Sequence, residues 1–172
     1  MDTLWHSLPL LVACFTFGGL AEHYRRHRDR RSVATMLAAE VRWMLETGAT
    51  GEQSMVDMTA NLPRIAQFDF SEMYTFDPTY APVYEKSIDR IGLLPAEIAA
   101  DIVSFFGLMT AVRIQVRNFI SITPGMYPNV TAARQFHIDL GMRHWAQARD
   151  LAPQILTRLD KEARRAWVDS WG

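Results

Sequence analysis

The chain opens on an apolar run, LWHSLPLLVACFTFGGLA from Leu4 to Ala21, that contains no charged residue. Wound as a helix at about 1.5 Å per residue it covers ~27 Å, close to the ~30 Å hydrocarbon core of a bilayer. Pro9 lies near its start, where a lost backbone hydrogen bond matters least. Trp5 and Tyr24 fall near its two ends, the depth that amphipathic aromatics favour. The flank that follows carries five arginines, Arg25, Arg26, Arg28, Arg30 and Arg31, against the two acids Glu22 and Asp29. The positive-inside rule then places the C-terminal part in the cytoplasm. The expectation is a transmembrane anchor over residues 1–21 in the inner membrane, and a basic flank and stalk helix over 22–47.

Beyond the arginines Val33, Leu37, Val41 and Leu45 recur every four residues, with Met36 and Met44 beside them, which predicts a helix face. Gly48-Ala49-Thr50-Gly51 reads as its stop. Residues 52–80 predict one short helix and then an ordered loop carrying Phe68, Phe70, Tyr74 and Phe76. A short helix follows from about Pro82 to Ile91, ending at Gly92. The strongest pattern runs from Pro95 to Phe119. Ile98, Ile102, Phe105, Met109, Val112, Val116 and Phe119 alternate spacings of four and three, the seam of a helix packed at a shallow angle along another. After Pro124-Gly125 and Pro128-Asn129, Thr131 can cap a helix whose stripe is Ala133, Phe136, Leu140, His144, Ala148 and Leu151. Pro153 starts a last helix with Ile155, Leu159, Ala163 and Trp167 on one face. No stretch alternates convincingly with period two. The predicted fold is all-α, an N-terminal transmembrane helix continuing into an antiparallel bundle of about four helices, with the bundle domain over 48–172.

One stretch resembles a known pattern. Pro82-x-Tyr84, then Ile91-Gly92-Leu93-Leu94-Pro95, then Ala99, Ile102 and Phe105-Phe106 is similar to a motif of small bacterial single-pass membrane proteins of unknown function. The resemblance covers about residues 82–106 and implies a membrane helix and no chemistry.

Composition changes the picture in two places. A net charge of -1 gives no reason to expect nucleic acid, whose binders show a strongly basic face. From Glu46 to Asp101, however, acids outnumber bases ten to three, and from Arg113 to Arg165 bases outnumber acids nine to four. Halves so charged attract on folding, or offer a basic surface to anionic lipid or an acidic partner. The single cysteine, Cys14, permits no intramolecular disulfide. Leu11-Val12-Ala13-Cys14 has the form of a bacterial lipobox, but no lysine or arginine precedes it and Phe15-Thr16-Phe17 is a poor tether. An uncleaved anchor fits better.

Chemistry-bearing motifs are few. The sequence has no phosphate-cradling glycine loop, Gly-x-Ser-x-Gly elbow or His-Glu-x-x-His helix. Gly18 and Gly19 allow close approach of another membrane helix, or simple packing. His23 and His27, one turn apart, could share a metal, but they stand among arginines that repel a cation. His144 on its stripe, with His137 near the edge and Tyr84 elsewhere, is a candidate buried polar site; a neutral core histidine is its plainer reading. Trp171 either folds back on the bundle or docks onto a partner or the membrane. The arginine cluster is expected to meet the negative leaflet diffusely, at ~1 kcal/mol per residue, in a way lysine could replace. The function so implied is a non-enzymatic, membrane-anchored scaffold or interaction protein. It needs no cofactor and engages lipid and a protein partner or its own copies. The alternative is a membrane-tethered sensor or enzyme with a small ligand in the bundle core.

Overall fold

The computed structural model describes the backbone of residues 3–65, 68 and 81–165, with side chains from Gly18 onward. Within it the protein is all-helical. The elements are α1 (Thr3–Ile65), α2 (Pro82–Ser87), a 3-10 helix (Ile88–Leu93), α3 (Ala96–Ser121) and α4 (Val130–Arg164). Cys14 and most of the apolar run lie outside the residues whose side chains are described, as do the aromatics Phe70, Tyr74 and Phe76 and both Trp167 and Trp171. Among the described residues, no helix is long and apolar enough to cross a membrane.

The three long helices form the body. Ion pairs and hydrogen bonds set their directions: Arg31 meets Ala163, Glu52 meets Arg149 and Arg134 reaches Ile65, so α1 and α4 are antiparallel. Asp101 with Arg158 and Gln115 with His137 make α3 and α4 antiparallel as well. Hence α1 runs parallel to α3, and α4 lies between them, packed along both. Small residues make that central place possible: Gly141, Ala148 and Ala152 are buried on α4, letting two backbones approach it. Glu52–Arg149 and Asp101–Arg158 also join the acidic and basic halves of the chain, so that opposition of charge is met inside the fold.

The α3 seam is as its spacing predicts. Ile98, Ile102, Phe105, Met109, Val112 and Phe119 are buried, with Val116 at the margin. On α1 Val33, Leu37, Val41 and Met44 are buried, while Met36 faces out.

Three expectations are corrected. First, Gly48 to Gly51 does not stop a helix: α1 passes through both glycines to Ile65, and no separate short helix follows. Gly48 is there for space, since a Cβ built on it would come within 2.2 Å of the Trp145 ring. Second, α4 does not restart at Pro153. The proline stands exposed inside one continuous helix, where water can meet the carbonyl its missing N–H releases. Third, the buried stripe of α4 is Arg134, Ile138, Gly141, Trp145, Ala148, Ala152, Ile155 and Leu159. Phe136, expected inside, is 56% exposed, and the cap is Asn129, whose Oδ1 accepts from the Ala132 N–H at 2.9 Å.

A fourth helix of a bundle would lie over α4 in the gap between α1 and α3. The short α2 and the 3-10 helix fill half of that position. Ala81, Ile91 and Leu94 join the core there, and Tyr84 stacks on Phe106 with ring centres 4.0 Å apart. Pro82 needs no partner for an N–H it lacks. The next two N–H groups, of Val83 and Tyr84, donate to the two carboxylate oxygens of Glu40 at 2.8 and 2.7 Å. Glu40 thus caps α2 from another helix, in place of Ala81, which has no side-chain oxygen.

Glu40 is buried, and that burial, partly offset by the two N–H donors, raises its pKa above the ordinary carboxylate value. A folded-state pKa above the unfolded one means that the folded protein binds the proton more tightly. Stability from this group therefore falls as pH rises from about 4 through the raised value, and levels off above it. Glu40→Ala should cost about 1–3 kcal/mol at neutral pH by stranding two donors. In Glu40→Gln this pH dependence should vanish, which thermal unfolding of both proteins at pH 4.5 and 7.5 will read. Parallel pH profiles would show that Glu40 does not titrate against folding.

Candidate functional site

Among the described residues the rest of the fourth position is unfilled, and a groove opens there. One wall is α1 from Met44 to Met58 and the other is α3 from Met109 to Phe119; Trp145, Gly141 and Ile138 of α4 form the floor. It consists of two clefts, of about 170 and about 240 Å³, that meet at Gly51 and Met55. The lining is apolar and rich in methionine, a side chain that adapts its shape to what it meets. Two polar arrangements border it. Glu52 accepts from the Trp145 indole N–H at 2.7 Å and from Arg149 at 2.9 Å, and these partners, the indole first, hold its pKa below the usual value. His137 Nδ1 lies 2.7 Å from Gln115 Oε1, and burial lowers the histidine pKa, favouring the neutral ring.

The candidate polar pair His144 and Tyr84 is not brought together. Tyr84 lies over Phe106 on α2's side of the bundle, whereas His144 sits half-buried at the margin of α4's stripe, its Nδ1 without a hydrogen-bond partner. The sequence placed His144 at the centre of a stripe; the true stripe is turned by one residue, so Trp145 takes the core. Gly18 and Gly19 face open space on the exposed surface of α1. Among the described residues, no three metal-ligating side chains gather, His23 and His27 included.

At the other end of the bundle the arginine cluster divides. Arg25 and Arg26 are exposed and pair with Glu22 at 3.5 and 2.9 Å, and exposed Arg28 approaches Asp29 at 3.9 Å. Arg30 instead pairs with the buried Glu162 of α4, and Arg31 Nε donates to the Ala163 carbonyl at 2.8 Å. These two clasp the last turn of α4, where cations suit the helix dipole's negative end. His27, one turn before Arg31, is buried. Burial first, then Arg31, Arg30 and His23, push its pKa down.

Sequence reasoning missed three residues. The sequence singled out neither Glu40 nor Arg134, and it took Gly48 for a helix stop. Arg134 is fully buried and donates to the Ile65, Phe68 and Ile122 carbonyls at 2.8, 2.7 and 2.5 Å. The available signal was the Arg134-Ile138-Gly141-Trp145 spacing, which puts arginine on the face of the largest apolar residue nearby.

Comparison with protein-family models, with curated proteins and with solved structures finds no match to this chain.

Proposed function

We propose that this is a membrane-anchored, non-enzymatic interaction protein of the inner membrane, whose cytoplasmic bundle receives an amphipathic helix of another polypeptide in the groove between α1 and α3. The observation that carries the reading is the groove that the described residues leave in the fourth position of the bundle, one wall of which belongs to the same unbroken α1 that begins in the apolar run. That helix of 63 residues is about 95 Å long, so the groove stands on a stiff stalk. The open wall from Met44 to Met58 is ~21 Å long, four turns of helix, and fits a partner with apolar residues at i, i+3 or i+4, and i+7. The titratable groups near it, Glu52 and His137, are engaged in fastening helices, which supports binding over catalysis. The resemblance of residues 82–106 to small single-pass membrane proteins points to the same architecture.

The test is a photo-crosslinker at Ser54, on the groove wall, in intact membranes, with Ser104 on the exposed side of α3 as control. An adduct to a second polypeptide from Ser54 alone supports the reading, and its mass tells a different protein from a second copy. Adducts only within the same chain, or equal adducts from both sites, overturn it. Carbonate washing of membranes tests the anchor separately: release of the full chain into the soluble fraction removes that half of the proposal.

A second reading is favoured by the His137–Gln115 pair beside the larger cleft: a small apolar ligand with one polar group, held against Phe119 and Met58. Native mass spectrometry of the purified chain separates it from the first by a small added mass.

A further inference from the structure

We propose that the cavity between the start of the stalk and the end of α4 is a binding site for a phosphate group, carried by a lipid headgroup or free in solution. The cavity, of about 470 Å³, is lined by His23, Arg26, His27 and Arg30 of α1, by Gly92 and Leu93 of the 3-10 helix and by Arg165 after α4. Four cationic or cation-forming side chains of α1 and a fifth, Arg165, from the far end of the chain therefore line one space, closed on another side by the 3-10 helix. Among the described residues no carboxylate lines it. Glu22 pairs with Arg26, and the buried Glu162 is shared by Arg30 and Arg165.

Two nitrogens make this more than a basic surface. His27 is 8% exposed and its Nε2 has no hydrogen-bond partner; the Nε of Arg30 is buried and equally without one. Buried polar nitrogens left unmet cost about 1–3 kcal/mol each, and native folds leave few of them. Both belong to residues that line the cavity. A tetrahedral oxyanion offers acceptors on several sides: it accepts from the Arg30 Nε–H by a charge-assisted bond and, by favouring the protonated ring of His27, whose other contact is the Arg165 backbone, from Nε2–H as well. A water could satisfy one nitrogen but would leave the positive field unbalanced.

Position adds the lipid source. Arg26 and Arg30 lie five and nine residues past Ala21, or roughly 7 and 14 Å along the helix, the depth of headgroups beside an apolar span. That source rests on the anchored reading above; the site for free phosphate does not.

The experiment uses the full chain in detergent and in nanodiscs. In nanodiscs of mixed phosphatidylglycerol and phosphatidylcholine, native mass spectrometry should show retained phosphatidylglycerol, with selectivity lowered about tenfold in Arg26→Gln, or 1.4 kcal/mol. Arg90→Gln removes the same charge from the neighbouring 3-10 helix outside the cavity and should leave selectivity unchanged. Arg30→Lys, which keeps the charge and loses Nε, should lower it as well, with circular dichroism checking the fold. In detergent, millimolar inorganic phosphate that raises Tm of the wild type but not of Arg26→Gln, without lipid selectivity, would establish the free anion as the ligand. Equal losses in Arg26→Gln and Arg90→Gln would mean diffuse attraction and overturn the site. Absence of any lipid selectivity and of any phosphate effect would do the same. Neither result depends on carbonate washing, so failure of the anchor and failure of the site remain separate.

Discussion

Arg134→Met should destabilise the protein by about 3–5 kcal/mol, the range for stripping one side from a buried charged contact. The guanidinium is fully buried and spans the ends of two helices: Ile65 closes α1, Phe68 lies just past it, and Ile122 follows the last residue of α3. Each helix C-terminus carries roughly half a negative charge on its last carbonyls, of which Ile65 also accepts from the Phe68 N–H at 2.9 Å. Two such ends therefore turn partial negative charge toward the guanidinium, beside the three carbonyls it bonds. Phe119 adds a ring face 5.5 Å from the guanidinium carbon. Methionine fills a similar volume and leaves the carbonyls desolvated. At ~2–4 °C per kcal/mol for a protein of this size, Tm should fall by roughly 10 °C. Arg134→Lys should fall between the two, because a single ammonium cannot reproduce the fork that reaches three separated oxygens. A Tm within 2 °C of wild type for the methionine variant would show that those carbonyls find other donors.

The residues that explain this effect were also the least legible. The α3 seam could be read because its apolar positions repeat without interruption and one period fits them. The all-helical class followed from the same kind of evidence on α1 and α4. What failed was the reading of exceptions. Glycine and proline were taken by their average behaviour, as a stop at Gly48 and a restart at Pro153, yet a long amphipathic helix held on two sides by packing tolerates both. On α4 the average was misleading in another way. Its buried stripe includes arginine, glycine and small alanines, because a central helix needs little volume, while Phe136 and Leu140 drew attention to a neighbouring face. The groove was illegible for a related reason: it is defined by what three separate helices leave unfilled, and no local pattern records an empty position. The cationic cavity shows the intermediate case. The arginines were visible as a run, but only the return of α4 and the 3-10 helix to that point separates Arg30 from Arg25.

Gly48 and Gly51 give opposite predictions from the same residue type, three positions apart. Gly48→Ala should destabilise by roughly 1–2 kcal/mol. Its Cβ would meet three atoms of the Trp145 ring at 2.2, 2.4 and 2.9 Å. The ring cannot readily swing away, since Trp145 is 4% exposed and its Nε1 is tied to Glu52 at 2.7 Å. Overpacking of this kind costs about 1–3 kcal/mol, against which better helix propensity returns no more than about 1. At Gly51 nothing stands within 4 Å, so Gly51→Ala should stabilise by up to ~1 kcal/mol through propensity alone. Thermal unfolding of the two single variants checks the signs. In a Trp145→Leu background, itself less stable, Gly48→Ala should cost much less than in the wild type, and that coupling assigns the effect to the ring contact. Two equal, stabilising alanines would mean that α1 and α4 stand further apart than the Gly48–Trp145 approach requires. Gly51→Leu then carries the argument to function: its side chain projects into the groove where the two clefts meet, with room to fold. If that groove holds a partner helix, this variant should stay folded and lose the Ser54 crosslink.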